Sequence, residues 1–162
     1  MFDVAVVYLI AGTVDDPTVL LGEKLTGLGA GKIVGPGGKS EGNEGPEDAA
    51  VREVLEEVGL VVETTDLVPI ARVSYPFIGR PELSQRSHAF VARTFTGQPV
   101  ASRELRPSWW PLGALPLDRM WADATLWLPR ALAGEFLEAT IEITGENLVA
   151  QADLTWSAFR RG

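Results

Sequence analysis

The amino-acid sequence predicts a mixed α+β layer architecture in a single domain over residues 1–162. Segments rich in β-branched and aromatic residues dominate the chain, whereas only two segments have the spacing of a helix with one apolar face. The chain also contains no repeat, low-complexity segment or linker that would divide it. A chain of this length buries roughly 70% of its unfolded surface, so one domain can form a core without disulfide bonds.

The first elements along the chain are predicted to be a β-hairpin and a glycine-rich loop. Residues 4–10 have the β-branched and aromatic composition of a buried strand, and residues 18–24 form its hairpin partner after the polar turn of residues 12–17. Residues 25–38 contain six glycines and one proline, which is typical of a loop, with a short strand at residues 32–34.

Further strands and two helices follow the loop. The strands are predicted at residues 60–74 (one or two), 87–96, 109–112 and, as a final hairpin around Gly145 and Glu146, 141–156. A polar, turn-like segment is expected at residues 76–86. The helices are predicted at residues 46–58 and 121–133.

The helix at residues 46–58 has well-marked ends. Gly45 is suited to the N-cap, and Pro46 is suited to the first helical position because its missing N–H needs no partner there. Gly59 follows the last turn, where a left-handed residue ends many helices. These signals define the limits of the helix and hence the positions of the side chains that it carries.

Three glutamates share one side of this helix. At about 100° per residue, Glu53, Glu56 and Glu57 fall within an arc of about 100°, away from the apolar side. Like charges at this spacing destabilise a helix unless something compensates them, and Arg52 is the only basic residue in it. A solvated acidic surface is one interpretation. The other is a site for Mg²⁺ or Mn²⁺, which is favoured because these ions prefer clustered oxygen ligands and because the upstream glycines let backbone carbonyls approach closely.

One sequence pattern spans the loop and the helix from residue 38 to residue 60. It reads Gly, five residues, Glu, seven residues, Arg-Glu, an apolar residue, any residue, Glu-Glu, any residue, Gly and an apolar residue. The fixed positions are filled by Gly38, Glu44, Arg52, Glu53, Val54, Glu56, Glu57, Gly59 and Leu60. The segment thus resembles the signature of the Nudix hydrolases at every fixed position. The resemblance implies an α/β/α sandwich with a mixed sheet and a loop-helix-loop, and Mg²⁺-dependent hydrolysis of phosphoanhydride bonds in nucleoside diphosphate derivatives.

The same resemblance implies roles for individual residues. The implied metal ligands are the backbone carbonyl of Gly37 and the carboxylates of Glu53, Glu56, Glu57 and Glu104. The residues expected to have structural roles in the motif are Gly38, Glu44 and Gly59. Arg52 is expected to orient the glutamates while Glu44 pairs with it. Either Glu57 or Glu53 is expected to accept a proton from the attacking water, so these two and Arg52 are the predicted catalytic residues.

A second resemblance covers residues 19–127 and concerns the oxidised-purine nucleoside triphosphatases of animals, which are MutT-like. It rests on Leu-Leu-Gly-Glu-Lys at 20–24, Gly-Ala-Gly at 29–31, Gly-Gly-Lys at 37–39, Pro-Glu-Leu at 81–83, Arg-Pro at 106–107 and Met-Trp at 120–121, with Asp123 and Trp127. It implies hydrolysis of nucleoside triphosphates such as 8-oxo-dGTP to monophosphate and pyrophosphate, which sanitises the nucleotide pool. It also implies that Lys24 lies near the nucleotide, that Trp121 stacks on the base and that Asp123 reads the base edge. The alternative for Trp121 and Trp127 is a place in the core of the second helix.

Three positions depart from those enzymes at the predicted substrate-binding site. Ala124 replaces a second aspartate, Val34 replaces an asparagine and Leu28 replaces an aromatic residue. A site that loses a polar contact loses selectivity for the group that it read, so we expect a different or less selective base preference. Hydrolysis of another diphosphate, such as a nucleotide sugar or a dinucleotide, is the alternative. A nucleotide-binding regulator without activity is disfavoured because the helix keeps all three glutamates.

Composition excludes several other classes of protein. The chain has no cysteine and one histidine, which excludes disulfide bonds, thiolate zinc sites, a cysteine nucleophile and histidine-rich metal sites. A formal net charge of -8 repels long nucleic acid but not a small nucleotide that arrives with Mg²⁺. The apolar run within residues 1–12 is too short to span a bilayer and has no basic start. We therefore expect no membrane attachment and a cytoplasmic location. We also expect a monomer or weak homodimer.

Overall fold

The structure is a computed structural model that describes residues 1–158. These residues form ten β-strands: β1 (Phe2–Gly12), β2 (Pro17–Lys24), β3 (Ile33–Val34), β4 (Gly37–Lys39), β5 (Leu67–Tyr75), β6 (Phe77–Ile78), β7 (Gln85–Ala92), β8 (Leu105–Pro111), β9 (Glu135–Thr144) and β10 (Val149–Ala158). The same residues form two α-helices, α1 (Pro46–Val58) and α2 (Ala124–Leu132).

The strands form one mixed sheet, which confirms the predicted fold class. The strand order is β10-β9-β5-β7-β1-β2, with β3 and β8 both hydrogen-bonded to β2. The centre is parallel, since residues 2–9 of β1 pair with residues 85–92 of β7, whereas β2 pairs with β1 in antiparallel orientation. The short β4 also pairs with β1, and Val6 lies opposite Gly37. This pairing brings the glycine-rich loop to the centre of the sheet.

One helix covers each face of the sheet. Along β1, Val7 and Leu9 belong to the core beneath α1, whereas Tyr8 and Ile10 belong to the core beneath α2. This alternation follows from the pleat, which turns successive side chains to opposite faces. Val54 of α1 is fully buried, and burial of such a side chain contributes roughly 1.5–3 kcal/mol. The two cores produce the predicted α/β/α sandwich.

The helix that carries the sequence pattern has the predicted limits. Gly45 precedes it in an extended conformation, and Gly59 ends it with a φ of 72° while its N–H donates to the carbonyl of Leu55. The left-handed φ is the reason for a glycine at position 59. Because α1 packs on β1 and β4, its acidic side faces the glycine-rich loop.

Several strands differ from the predicted limits. Residues 76–86, predicted as a turn, contain β6 and the start of β7, because Phe77 is buried and Gln85 pairs with β5. The strand predicted at residues 109–112 is the longer β8, since it pairs along nearly all of β2. Residues 60–74 contain one strand, β5, which follows a 3₁₀-helix at Thr64–Asp66.

The last elements are also shifted from their predicted positions. The second helix, α2, begins at Ala124 rather than at residue 121, because Trp121 and Asp123 lie in the turn before it. The predicted final hairpin is present, but β9 already begins at Glu135, since it pairs with both β10 and β5. Within the described part of the chain, neither helix is long and apolar enough to cross a membrane.

Candidate active site

Three carboxylates converge at the end of the glycine-rich loop. One oxygen atom from each of Glu53, Glu57 and Glu104 lies within 4.8 Å of the other two. Glu53 and Glu57 are one turn apart on α1, and Glu104 precedes β8, where its carbonyl accepts a hydrogen bond from the N–H of Leu25. Because hard oxygen ligands are those that Mg²⁺ and Mn²⁺ prefer, this donor set fits a divalent cation.

Burial makes the negative charge of this group costly without a cation. Glu53 is 8% exposed and Glu57 is 7% exposed. Burial, reinforced by repulsion from Glu53 and Glu104, raises the pKa of Glu57 to about 7. Burial also raises the pKa of Glu53, although the neighbouring Arg52 opposes this shift. A divalent cation would favour the charged form of each carboxylate, so the electrostatics of the group also fit a metal site.

Two glycines let β4 pass between β1 and the carboxylates. The N–H of Gly37 donates to Glu57 Oε1 at 2.6 Å. A Cβ atom at Gly37 would lie 2.1 Å from the carbonyl oxygen of Ala5, and one at Gly38 would lie 2.5 Å from the carboxylate of Glu53. Position 37 therefore requires glycine because the contact is with backbone, whereas a side chain at position 38 would displace the carboxylate of Glu53. The structure places Gly37 beside the carboxylates, and ligation by its carbonyl stays a prediction.

Arg52 connects the loop to the carboxylate group. Its Nε and Nη2 donate to the two oxygens of Glu44 at 2.8 and 2.9 Å, and its Nη1 donates to Glu53 Oε1 at 2.9 Å. Nη2 also donates to the carbonyl of Lys39 at 2.9 Å. The bidentate pair holds the pKa of Glu44 below its usual value and fixes the plane of the guanidinium group. Arg52 thus holds one oxygen of Glu53 in place.

Glu56 lies apart from the three converging carboxylates. Its side chain is 57% exposed and accepts a hydrogen bond from Arg52 Nη1 at 3.1 Å. The third member of the compact group is instead Glu104. Metal ligation by Glu56 therefore stays a prediction that these contacts do not support.

A cavity of about 240 Å³ opens beside the carboxylates. Its lining includes every residue predicted to bind the substrate, namely Lys24, Leu28, Val34, Trp121 and Asp123. Gly37, Gly38 and Glu57 line the same cavity. The predicted metal site and the predicted base site are therefore parts of one continuous space.

Trp121 is held at the cavity wall by the glycine-rich loop. The ammonium group of Lys32 lies 5.1 Å from the ring centroid of Trp121. Gly29 has a φ of 82°, and a Cβ atom there would lie 2.8 Å from the ring. The loop therefore approaches the indole closely enough to fix its position. Trp127, by contrast, is a buried member of the core as well as part of the cavity lining.

Sequence reasoning missed the hydrogen bonds that position Asp123. The hydroxyl of Tyr75 donates to Asp123 Oδ2 at 2.6 Å, and the indole Nε1–H of Trp127 donates to the same oxygen at 2.9 Å. Tyr75 belongs to β5, on the same face as the buried Val73 two residues earlier. A tyrosine on the core face needs a hydrogen-bond partner for its hydroxyl. The alternation of side chains along β5 was therefore the signal in the sequence that could have predicted a buried polar partner for Tyr75.

Comparisons with known proteins agree with this geometry. The family profile described as the NUDIX domain matches residues 1–131. The chain is 40% identical over 136 residues to the oxidized purine nucleoside triphosphate hydrolase of Danio rerio, over 84% of this chain and 85% of that protein. It is 41% identical over 125 residues to the protein of the same name from Mus musculus, over 77% of this chain and 78% of that protein.

A solved structure shares the fold. The crystal structure of a MutT protein from Bacillus halodurans has a TM-score of 0.77 with this chain at 22% identity, and the match covers 95% of this chain and 97% of that one. This likeness concerns the fold alone. The profile and the two relatives each cover most of the sequence, and the range matched by the profile includes the loop, α1 and the carboxylates on it. The chain therefore belongs to the NUDIX family.

Proposed function

We propose that this protein hydrolyses a nucleoside triphosphate to a monophosphate and pyrophosphate with Mg²⁺, and that oxidised purine nucleotides such as 8-oxo-dGTP are among its substrates. The observation that carries this proposal is the shared cavity. Glu57 lies at one part of its wall, and Trp121 and Asp123 lie at another. A base and a polyphosphate chain on one molecule would meet both groups at once.

The names of the relatives support the substrate class. Both animal proteins are called oxidized purine nucleoside triphosphate hydrolases, and this chain matches more than three quarters of each. The five residues that sequence similarity assigns to the nucleotide all line one cavity. This agreement between similarity and geometry favours a triphosphate over a nucleotide sugar or a dinucleotide.

The proposed metal ligands are Glu53, Glu57 and Glu104, with the carbonyl of Gly37 and the exposed Glu56 as further candidates. When bound, Mg²⁺ or Mn²⁺ would neutralise charge on the phosphate oxygens and make water a better nucleophile. Glu57 or Glu53 would accept a proton of the attacking water.

Other residues bind and orient the nucleotide in this proposal. Lys24 lines the cavity and its charge acts on Glu57, so its ammonium group is placed to bind phosphate oxygens. Trp121 offers a ring face for stacking, which contributes roughly 1–3 kcal/mol per base. Arg52 holds Glu53 in position through the hydrogen bond from its Nη1.

We further propose that the protein works as a monomer or weak homodimer in the cytoplasm and does not bind long nucleic acid. The formal net charge of -8 supports the last part, because a phosphate backbone attracts basic surfaces. Size-exclusion chromatography with light scattering at several concentrations tests the assembly state. A stable dimer at micromolar concentration would contradict it.

A substrate panel tests the proposed reaction. The purified protein would be incubated with 8-oxo-dGTP, dGTP, dATP, a nucleotide sugar and a dinucleotide, each with Mg²⁺ and with EDTA, and the products separated by ion-exchange chromatography. We expect pyrophosphate and a monophosphate from at least one triphosphate, and no turnover with EDTA. Turnover of only the dinucleotide or the sugar nucleotide, or release of orthophosphate from the triphosphates, would overturn the proposal.

A further inference from the structure

The turn between β9 and β10 is hydrogen-bonded to the turn that carries Trp121 and Asp123. Asn147 Oδ1 accepts a hydrogen bond from the backbone N–H of Ala122 at 3.0 Å. Ala122 lies between the two residues that the proposed function assigns to the base. Asn147 lies outside the cavity lining that the described residues form, so it can act on a bound nucleotide only through the backbone at Ala122.

The turn before α2 has no side-chain cap of its own. Asp123 stands at the N-cap position of α2, but its side chain makes no capping hydrogen bond. Its Oδ2 instead accepts hydrogen bonds from Tyr75 and Trp127. Because an N-cap side chain normally fixes the entry into a helix, the path of this turn depends on contacts from elsewhere in the chain. The bond from Ala122 to Asn147 is such a contact, across 25 positions of sequence.

The backbone conformation of Asn147 separates two roles of this residue. Within residues 1–158, Asn147 is the only non-glycine residue with a positive φ, at 58°. Glycine adopts this left-handed conformation with the least strain, and asparagine adopts it more readily than most other residues. The turn alone would therefore accept a glycine. The amide oxygen that Ala122 uses is an additional feature, which a glycine could not supply.

The turn that carries Asn147 is firmly attached to the sheet. The N–H of Thr144 donates to the carbonyl of Leu148 at 2.9 Å, and the N–H of Asn147 donates to the carbonyl of Thr144 at 3.1 Å. One residue before this turn, Ile143 pairs with Phe77 of β6, and both residues line the cavity. Asn147 is thus a fixed point beside the cavity from which the turn before α2 can be held.

We propose that Asn147 is a positioning residue for the nucleotide, because its amide oxygen fixes the backbone that presents Trp121 and Asp123 to the base. This inference rests on the proposed function, in which Trp121 stacks on the base. Lys32 of the glycine-rich loop lies over the ring of Trp121, and Asn147 holds the backbone next to it. Without this bond the N–H of Ala122 loses its partner and the turn can shift, which weakens stacking but leaves the carboxylate group in place.

Two substitutions at position 147 separate the amide oxygen from the backbone conformation. Asn147→Gly keeps the left-handed φ and removes the acceptor, whereas Asn147→Asp keeps an acceptor oxygen in a residue that also tolerates this φ. We expect Asn147→Gly to weaken nucleotide binding about ten-fold, because one partly buried N–H is left unpaired. Asn147→Asp should keep the wild-type affinity within about two-fold. Glu146→Gln, an exposed substitution in the same turn, is the matched control and should bind like the wild type.

The measurement is calorimetric titration of the whole protein with dGMP, 8-oxo-dGMP and dAMP, and separately with Mn²⁺, with melting temperatures as the check on folding. Monophosphate binding needs no turnover, so this inference can fail while the proposed triphosphatase activity holds, and the reverse. Weaker binding of the tightest nucleotide in Asn147→Gly, restored in Asn147→Asp, with equal Mn²⁺ affinity in every variant, supports it.

Three results would overturn the role of Asn147. The first is an unchanged nucleotide affinity in Asn147→Gly, even with a lower melting temperature, since the bond would then stabilise the turn alone. The second is an equal loss of nucleotide affinity in Asn147→Gly and Asn147→Asp, or a parallel loss of Mn²⁺ affinity. The third is a wild type that binds none of the three nucleotides.

Discussion

At the scale of single residues, the site depends on a glycine that leaves space for a carboxylate and on an arginine that holds the carboxylate by a hydrogen bond. Gly38 leaves the space that the carboxylate of Glu53 occupies, and Arg52 holds one of its oxygens. Geometry of this kind matters because residues behind the metal ligands orient them and tune their affinity. Substitutions next to the carboxylates should therefore act on metal affinity before they act on the fold.

The first prediction concerns Gly38→Ala. The added methyl group would lie 2.5 Å from the carboxylate of Glu53, so Glu53 must move. We expect Mn²⁺ affinity, measured by calorimetry, to fall about 10–100-fold. Gly113→Ala is the control, since its Cβ would meet nothing within 4 Å. Equal Mn²⁺ affinity in the two variants would contradict this account.

A second prediction concerns pH and the metal-free protein. Glu57 has a pKa raised from 4.5 to about 7, so the folded state binds more protons than the unfolded state between these values. Stability then falls as pH rises through this window, by about 2–3 kcal/mol for this group. In EDTA, Glu57→Gln should lose this part of the pH dependence in urea unfolding, whereas Asp15→Asn in the exposed turn should keep it. Parallel curves for the wild type and Glu57→Gln would refute the assignment.

At the scale of elements, local sequence signals predicted the limits of α1. The limits of several strands depend instead on pairing with segments that are distant in sequence. The residues at the ends of α1, Gly45, Pro46 and Gly59, define the helix without reference to the fold. By contrast, β4 forms inside a glycine-rich loop because β1 offers it a partner, and β8 extends because β2 does. Hydrogen bonds to a distant strand leave no periodic signal in the shorter segment, which is why β4 and the first residues of β8 were not predicted.

The third prediction tests the end of α1. Gly59→Ala would place a side chain at a φ of 72° and 2.7 Å from Val100 Cγ2. We expect a loss of about 1–3 kcal/mol in the free energy of unfolding, because the left-handed conformation and the contact both cost energy. Gly113→Ala should change stability by no more than about 0.5 kcal/mol. Chemical denaturation measures both, and equal stabilities would show that the helix end tolerates a side chain.

At the scale of the whole molecule, the sandwich joins two separate groups of residues at one cavity. The carboxylates come from α1 and the start of β8, and Asp123 stands before α2 on the other face. The predicted family, fold class and hydrolase class are confirmed, and all five predicted substrate-binding residues line the cavity. The contact between Tyr75 and Asp123 could not be predicted, because packing of α2 against the sheet creates it across 48 positions of sequence.

The most direct test of the central claim, that the buried carboxylates of α1 perform metal-dependent hydrolysis, is the activity of Glu57→Gln. Its kcat/KM for 8-oxo-dGTP with Mg²⁺ would be compared with that of the wild type and of Glu47→Gln, an exposed substitution on the same helix. We expect a loss of about 10³-fold or more for Glu57→Gln, with an unchanged circular dichroism spectrum and unchanged dGMP binding. Wild-type activity is expected for Glu47→Gln. Wild-type activity in Glu57→Gln would contradict the account.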